Sequence, residues 1–540
     1  MSGPRWRIED RRLLFDEHPV LLLGGQLHNS TASSSDATAR AFAHAADLGA
    51  NTVIAPVSWD LCEPEEGRFD FSAADALLTQ AHTADLRLVV LWFGAFKNAA
   101  STYAPRWVRA DADRFPRAEV GAHDRPPFTY EGATHKPVLS VFSPALRDAD
   151  GAAFERFVRF LAAHPHRDRV ALLQVENEVG LLADSRDRSA IAEAAWGSTV
   201  PEEFLAFLRD SAPGSVARSL WESRGAAASG TWPEILGDGW EADEVFMAWA
   251  FSTYVESLAR RAAGIWPVPL YANAWLGPQP GQDRAGQYPS GGPGSRVLDV
   301  WRAGAPSLAM LCPDIYVEQA GPVVRTYAST DRALFVPECR VRVADIAMAL
   351  AEGAVGWSAF GLEDVSDRSQ VAQLLGQLTQ IQPALVDAQR AGRLTAVVLP
   401  SGSEAERVVV GDLELVARGT RALFERMLLD AGVGHPVTPP PPPEETLPGA
   451  AVASPHDTRP FGLIVDEGDD TFLVFGQGLT LDFFHTDAVI EYDSVVEGRF
   501  VDGTWAAGRS LNGDERLRIL PLDEVGAVRI RLVRVSGAVK

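Results

Sequence analysis

Cysteine is scarce. The 540 residues hold three, Cys62, Cys312 and Cys339, too few for a disulfide framework and without the C-x-x-C spacing of a zinc site. Reduced thiols of this kind imply a cytoplasmic setting. Long apolar runs are missing too: no stretch of about 18 apolar residues exists to cross a membrane. The start, Met1-Ser-Gly-Pro-Arg-Trp-Arg-Ile-Glu-Asp10, lacks the apolar core expected of a secretion signal. Positive charge is in deficit, with 49 lysines and arginines against 72 aspartates and glutamates, a formal charge of −23. Nucleic acid and anionic membrane would repel such a surface, which excludes both as partners, whereas a neutral ligand is indifferent to it.

What is present has ordinary proportions, 46% hydrophobic and 22% charged, as in globular domains. The length exceeds one domain and suits a large barrel plus a smaller unit. Strand-like apolar runs alternate with helix-like segments through the first two thirds. Eight strands are expected, at 20–24, 51–57, 87–93, 170–175, 268–272, 308–311, 334–336 and 354–360. Helices are expected at 36–48, at 73–84, after Ser143-Pro144 with its N-cap and N1 signals, and at 371–391. Eight such units with right-handed crossovers close into a (β/α)8 TIM barrel, an α/β fold, over 1–392. Beyond Gly392 the pattern turns to alternation at 397–399, 407–416, 463–466, 472–475 and 479–483, with Glu467-Gly-Asp-Asp470 as a hairpin turn. A β-sandwich-like domain over 393–540 follows. Pro439–Pro443 within it reads as an exposed polyproline segment or loop, and no repeat of 20–50 residues is present.

Barrel proteins place their chemistry at the C-terminal ends of the strands. The fourth run ends Leu172-Leu-Gln-Val-Glu-Asn-Glu178, two carboxylates where burial without purpose is rare. Strand alternation aims Glu176 and Glu178 the same way and does not choose between them. The seventh ends Leu334-Phe-Val-Pro-Glu338, with Arg340 close enough to favour the ionised form. These strands face each other across the mouth. Two carboxylates so placed can act on one sugar ring, and retention of configuration needs them roughly 5–5.5 Å apart. Aromatic side chains at or near strand ends, Trp59, Trp92, Phe93, Trp275, Tyr316 and Trp357, offer a platform for the apolar face of a sugar. Gln26, His28, Asp60, Glu63, Lys97, Asn98, Asn177 and Asn273 are candidate partners for its hydroxyls. Any one of them is as readily a packing or loop-anchoring residue; together they describe a pocket. The chemistry calls for no metal or other cofactor.

At these residues the chain resembles glycoside hydrolase clan A, and more closely family 35, the β-galactosidases. The carrying motifs are Gln174-Val-Glu-Asn-Glu178, Val336-Pro-Glu338 and Trp59-Asp-Leu-Cys-Glu-Pro-Glu-Glu-Gly-Arg-Phe-Asp-Phe71. Arg459-Pro-Phe-Gly-Leu463, Val495-Val-Glu-Gly-Arg-Phe-Val-Asp-Gly-Thr-Trp505 and Arg509-Ser-Leu-Asn-Gly-Asp-Glu515 are similar to the small β-domain of that family's compact bacterial branch. The resemblance implies that Glu178 is the acid/base, Glu338 the nucleophile and Asn177 a partner of the sugar 2-hydroxyl. It also implies release of terminal β-galactosyl residues from imported oligosaccharides, xyloglucan-type fragments among them. The family's galactose-gripping tyrosine on strand two and its Tyr-Ile-Cys/Asn-Ala-Glu stretch on strand three are replaced here by Ala55-Pro56-Val57 and Trp92-Phe-Gly-Ala-Phe-Lys-Asn98. Another β-glycosidase (for glucosides, xylosides or α-L-arabinopyranosides) and a non-catalytic carbohydrate-binding barrel are the rival readings. A homodimer through the β-domain stays open.

Overall fold

The computed structural model describes residues 5–121, 138–328, 332–400, 403–433 and 457–535, and the proline segment 439–443 lies outside them. Parallel strands Leu22–Gln26, Thr52–Ser58, Arg87–Lys97, Val170–Asn177, Leu270–Trp275, Met310–Ile315 and Ala354–Phe360 form a barrel wall. The seventh strand closes it in two pieces. Leu334–Val336 pairs with the eighth strand and Glu338–Cys339 with the sixth. Pro337 stands between them, and a residue without an N–H cannot continue a ladder. Glu338 therefore begins a fresh register, directly beside Asp314.

Alternation sorts the strand residues into two cores. Leu22, Ile54, Leu91, Met310, Phe335 and Val355 fill the barrel, and Trp6 and Leu13 from the N-terminal three-stranded sheet, with Val20 just after it, join them. Leu23, Val53, Val90 and Leu173 pack outward under the helices. Helix Pro144–Ala163 opens on the Ser143 cap, whose side chain accepts from Leu146 N, with Pro144 in the first turn. Helix Trp240–Ala263 lies against it. Among the described residues no helix is long and apolar enough to cross a membrane.

Past Leu394 come a six-stranded and a three-stranded antiparallel sheet. The expected 407–416 strand is a hairpin, Ala405–Val410 and Leu413–Gly419, and a helix, Thr420–Asp430, follows it. The turn at Asp469 and Asp470 has both residues left-handed (φ 49° and 54°), the twist a tight hairpin prefers. Leu463, Val465, Leu473 and Phe475 pack on the barrel helices. Ile464, Phe472 and Val474 face the smaller sheet. Strands Phe461–Gly468 and Thr471–Gln477 of the six-stranded sheet are thus buried on both faces, one of them by the barrel.

An ion cluster fastens this junction. Arg459 donates to Asp457 Oδ2 at 2.6 Å and to Asp345 Oδ1 at 3.0 Å, all three side chains largely buried. Gln370 accepts from the Asp457 backbone N–H at 2.9 Å. Arg459→Ala leaves two carboxyls buried without their cation, and should cost about 3–5 kcal/mol, read as a lower urea midpoint. A midpoint unchanged would mean the cluster contributes no net stability.

Candidate active site

The fourth strand ends in strained backbone. Glu176 and Glu178 both have left-handed φ, 61° and 44°, a conformation that non-glycine residues adopt at a cost and that clusters at functional sites. Simple alternation is broken there, and the expectation that the two carboxylates point the same way is corrected. Glu176 turns into the wall, where it accepts from Ala95 N at 3.1 Å and Phe96 N at 2.8 Å. Beside it lies Asp150, which accepts from Trp92 Nε1 and from Tyr254 OH. Gly94 leaves room for this knot, since a Cβ there would stand 2.5 Å from Glu176 Oε1 and 2.6 Å from Asp150 Oδ1. Glu178 faces the mouth instead.

There Glu178, Asp314 and Glu338 offer oxygens all within 4.8 Å of one another, and all three are buried. Such a trio has the spacing to hold a cation, but Lys97 already supplies positive charge to Glu178 and Glu338, so we read the three as acids sharing protons. Burial raises Glu178, the charge of Glu338 adds to it and Lys97 opposes, leaving that carboxyl pushed up to about 8. Burial also raises Glu338, against Lys97, the Tyr316 hydroxyl and Gln26. Tyr316 OH donates to Glu338 Oε1. Asp314 is driven well above the usual carboxylate range by burial and then by the charges of Glu338 and Glu178.

Strand register explains the company these groups keep. Lys97 pairs with Asn177, and its ammonium donates to Asn177 Oδ1 at 3.2 Å and to Asn98 Oδ1 at 2.6 Å. The same ammonium lies 4.8 Å from the centre of the Phe93 ring. Asn177 Nδ2 is buried with no hydrogen-bond partner among the described residues, a donor suited to a ligand hydroxyl. Asn273 accepts from Glu178 N at 2.9 Å and Gln174 Nε2 at 3.0 Å, and donates to Asp314 Oδ2 at 2.6 Å. Trp275, half-buried, stands beside Asp314 in register. At the rim, His28 Nε2 meets Asp364 Oδ2 at 2.8 Å.

Four expected sugar contacts are corrected. Trp92 is fully buried on the outer face, where it stacks on Phe157 with ring centres 5.2 Å apart; its neighbour Phe93 takes the inward position. Trp59 is fully buried, and its indole donates to Glu63 Oε2 at 2.8 Å. Glu63 also accepts from Gly67 N at 2.7 Å, so its carboxylate anchors a loop. Trp357 is fully buried among the core residues and offers no open ring face. Asp314 is the group that strand-end reading passed over.

Two family models match parts of the chain. Residues 12–117, which include the last two strands of the N-terminal sheet and the first three barrel strands, match the model of glycosyl hydrolases family 35. Residues 371–521 match a domain of unknown function (DUF5597), running from the closing barrel helices into the β-sheets. No curated protein matches. A β-galactosidase from the Antarctic haloarchaeon Halorubrum lacusprofundi aligns over 63% of this chain at 17% identity and TM-score 0.40, and the match spans about half of that protein (52%). A β-mannanase from the blue mussel Mytilus edulis aligns over 70% of this chain and 97% of its own at 12% identity, TM-score 0.41.

Proposed function

We propose that this chain, a glycoside hydrolase carrying the family 35 segment in its barrel, is a retaining exo-β-galactosidase. It would release terminal non-reducing β-D-galactosyl residues from oligosaccharides, xyloglucan-type fragments included. The observation that carries the mechanism is the approach of Glu178 and Glu338 to within 4.8 Å, from opposite sides of the mouth. That spacing suits direct attack by one carboxylate and leaves no room for the water that an inverting pair holds between them.

Their surroundings differ in the way the two roles require. Glu338 receives the Tyr316 hydroxyl and the charge of Lys97, which favour a carboxylate poised to attack the anomeric carbon. Glu178, held up near 8, keeps its proton at neutral pH and can give it to the leaving oxygen. Once Glu338 is esterified its charge is gone, the push on Glu178 weakens, and the same group can deprotonate the incoming water. Asn177, with its unpaired amide N–H groups, is placed to hold the sugar 2-hydroxyl, and Trp275 to stack on the ring. The three cysteines, buried and unpaired, fit the cytoplasmic setting we propose.

A panel of nitrophenyl β-galactoside, β-glucoside, β-xyloside and α-L-arabinopyranoside tests the glycone, with the first-formed anomer read by NMR. The galactoside should be hydrolysed fastest, with β-galactose appearing first. Preference for another sugar would move the enzyme within the clan, and α-galactose appearing first would end the double-displacement reading.

A further inference from the structure

We propose that Asp314 is a positioning residue of the reaction, which stays protonated and directs its acid O–H at Glu178, steadying the carboxylate that Glu178 becomes. The inference rests on the acid/base role given to Glu178 above.

The geometry begins at Asn273. Its Oδ1 is committed to two N–H donors, Glu178 N and Gln174 Nε2, so its Nδ2 must face Asp314. One amide therefore locks the Asp314 carboxyl to the backbone of Glu178. Asp314 is only 2% exposed, and its second oxygen, Oδ1, finds no N–H or hydroxyl donor among the described residues. The side chain lies within hydrogen-bonding reach of Glu178. An ionised oxygen buried without a donor is costly, whereas an acid O–H aimed at a neighbouring carboxyl is satisfied.

Charge points the same way. Lys97 acts on Glu178 and Glu338, while the charges acting on Asp314 are those two carboxyls, and both hold its proton in place. The other titratable groups around it are Tyr271 from the fifth strand, Cys312 from its own, Tyr316 just past that strand's end, Cys339 from the seventh and Tyr327 from helix Ala320–Ala328. All are pushed up by burial and stay neutral at working pH.

The proton count closes over the cycle. Glu178 gives its proton to the leaving oxygen as the glycosidic C–O bond breaks and Glu338 bonds the anomeric carbon. Asp314 keeps its own proton, and its O–H donates to the new Glu178 carboxylate. Water then loses a proton to Glu178 as its oxygen takes the anomeric carbon and Glu338 departs. Asp314 ends as it began. Its effect is to make Glu178 a stronger acid, and a more patient base, than burial alone would allow.

Asp314→Asn keeps a donor, an amide N–H, and Asp314→Leu removes it. The first should leave the alkaline limb of the kcat/KM profile in place and keep activity within about threefold. The second should move that limb up by about one unit, a tenfold change in the acidity of Glu178, and slow alkyl galactosides more than activated aryl ones. In the infrared spectrum at neutral pH, Asp314→Asn should remove intensity from the protonated-carboxyl C=O band. A limb displaced downward in Asp314→Asn, or an unchanged C=O band, overturns the proposal, and these readings stand even if the leucine variant does not fold. Glu178→Gln separates the two claims. If its alkaline limb persists, the acid role of Glu178 fails; if the limb vanishes while neither Asp314 variant alters limb or band, only the role of Asp314 fails.

Discussion

Glu338→Gly is expected to abolish hydrolysis, with turnover on activated aryl galactosides falling by on the order of 10⁴-fold or more, and to recover it when azide or formate is added. The wild-type carboxylate is the one group at the mouth held ready by both a hydroxyl donor, Tyr316, and the Lys97 ammonium. Glycine removes the nucleophile but keeps those two partners. They would then favour a small anion in the vacated space, close enough to attack the anomeric carbon. Attack by an outside anion displaces the leaving group once, so the glycosyl azide should have inverted, α configuration. Its NMR spectrum reads that directly. Rescue with the β product, or activity that survives the substitution undiminished, would remove Glu338 from the reaction.

The barrel was legible because its strands are apolar runs punctuated by helix caps, and all eight appear within a few residues of expectation. The errors lie where local backbone departs from a plain strand. The third run is expected to end at Phe93, yet the strand continues to Lys97, and a register shift after Trp92 brings Lys97 to Asn177. The sixth is expected to end at Leu311, yet it runs through Pro313 to Ile315, and Asp314 lies in the difference. Left-handed φ at Glu176 has no signal in a sequence that reads by alternation. In the β-domain, Val489–Val501 and Gly526–Val535 alternate apolar residues with Glu, Asp and Arg. Their strand character is weak until the neighbouring sheet supplies a face to bury.

Glu178→Ala should divide substrates by leaving group. For an alkyl galactoside, whose departing oxygen must be protonated as the bond breaks, losing the acid should cost roughly 10²–10⁴-fold in kcat/KM. For a dinitrophenyl galactoside, whose phenolate departs without help, kcat/KM should fall by less than about tenfold. The pH profile sharpens the test. Glu178 is pushed up to about 8, so the competent, protonated form dominates below that value, and wild-type kcat/KM should fall as pH rises through it. On the acid side the rate should fall as pH drops through the raised pKa of Glu338 and its carboxylate is lost. Removing Glu178 takes away both the alkaline limb and the charge it would carry beside Glu338. The acid limb should stay near its wild-type position, since Glu178 is still protonated and uncharged where Glu338 titrates. Equal losses on both substrates, or an alkaline limb that survives in Glu178→Ala, would mean that the proton comes from elsewhere. In that event the 4.8 Å approach of the three carboxyls makes Asp314 the next residue to test as the donor.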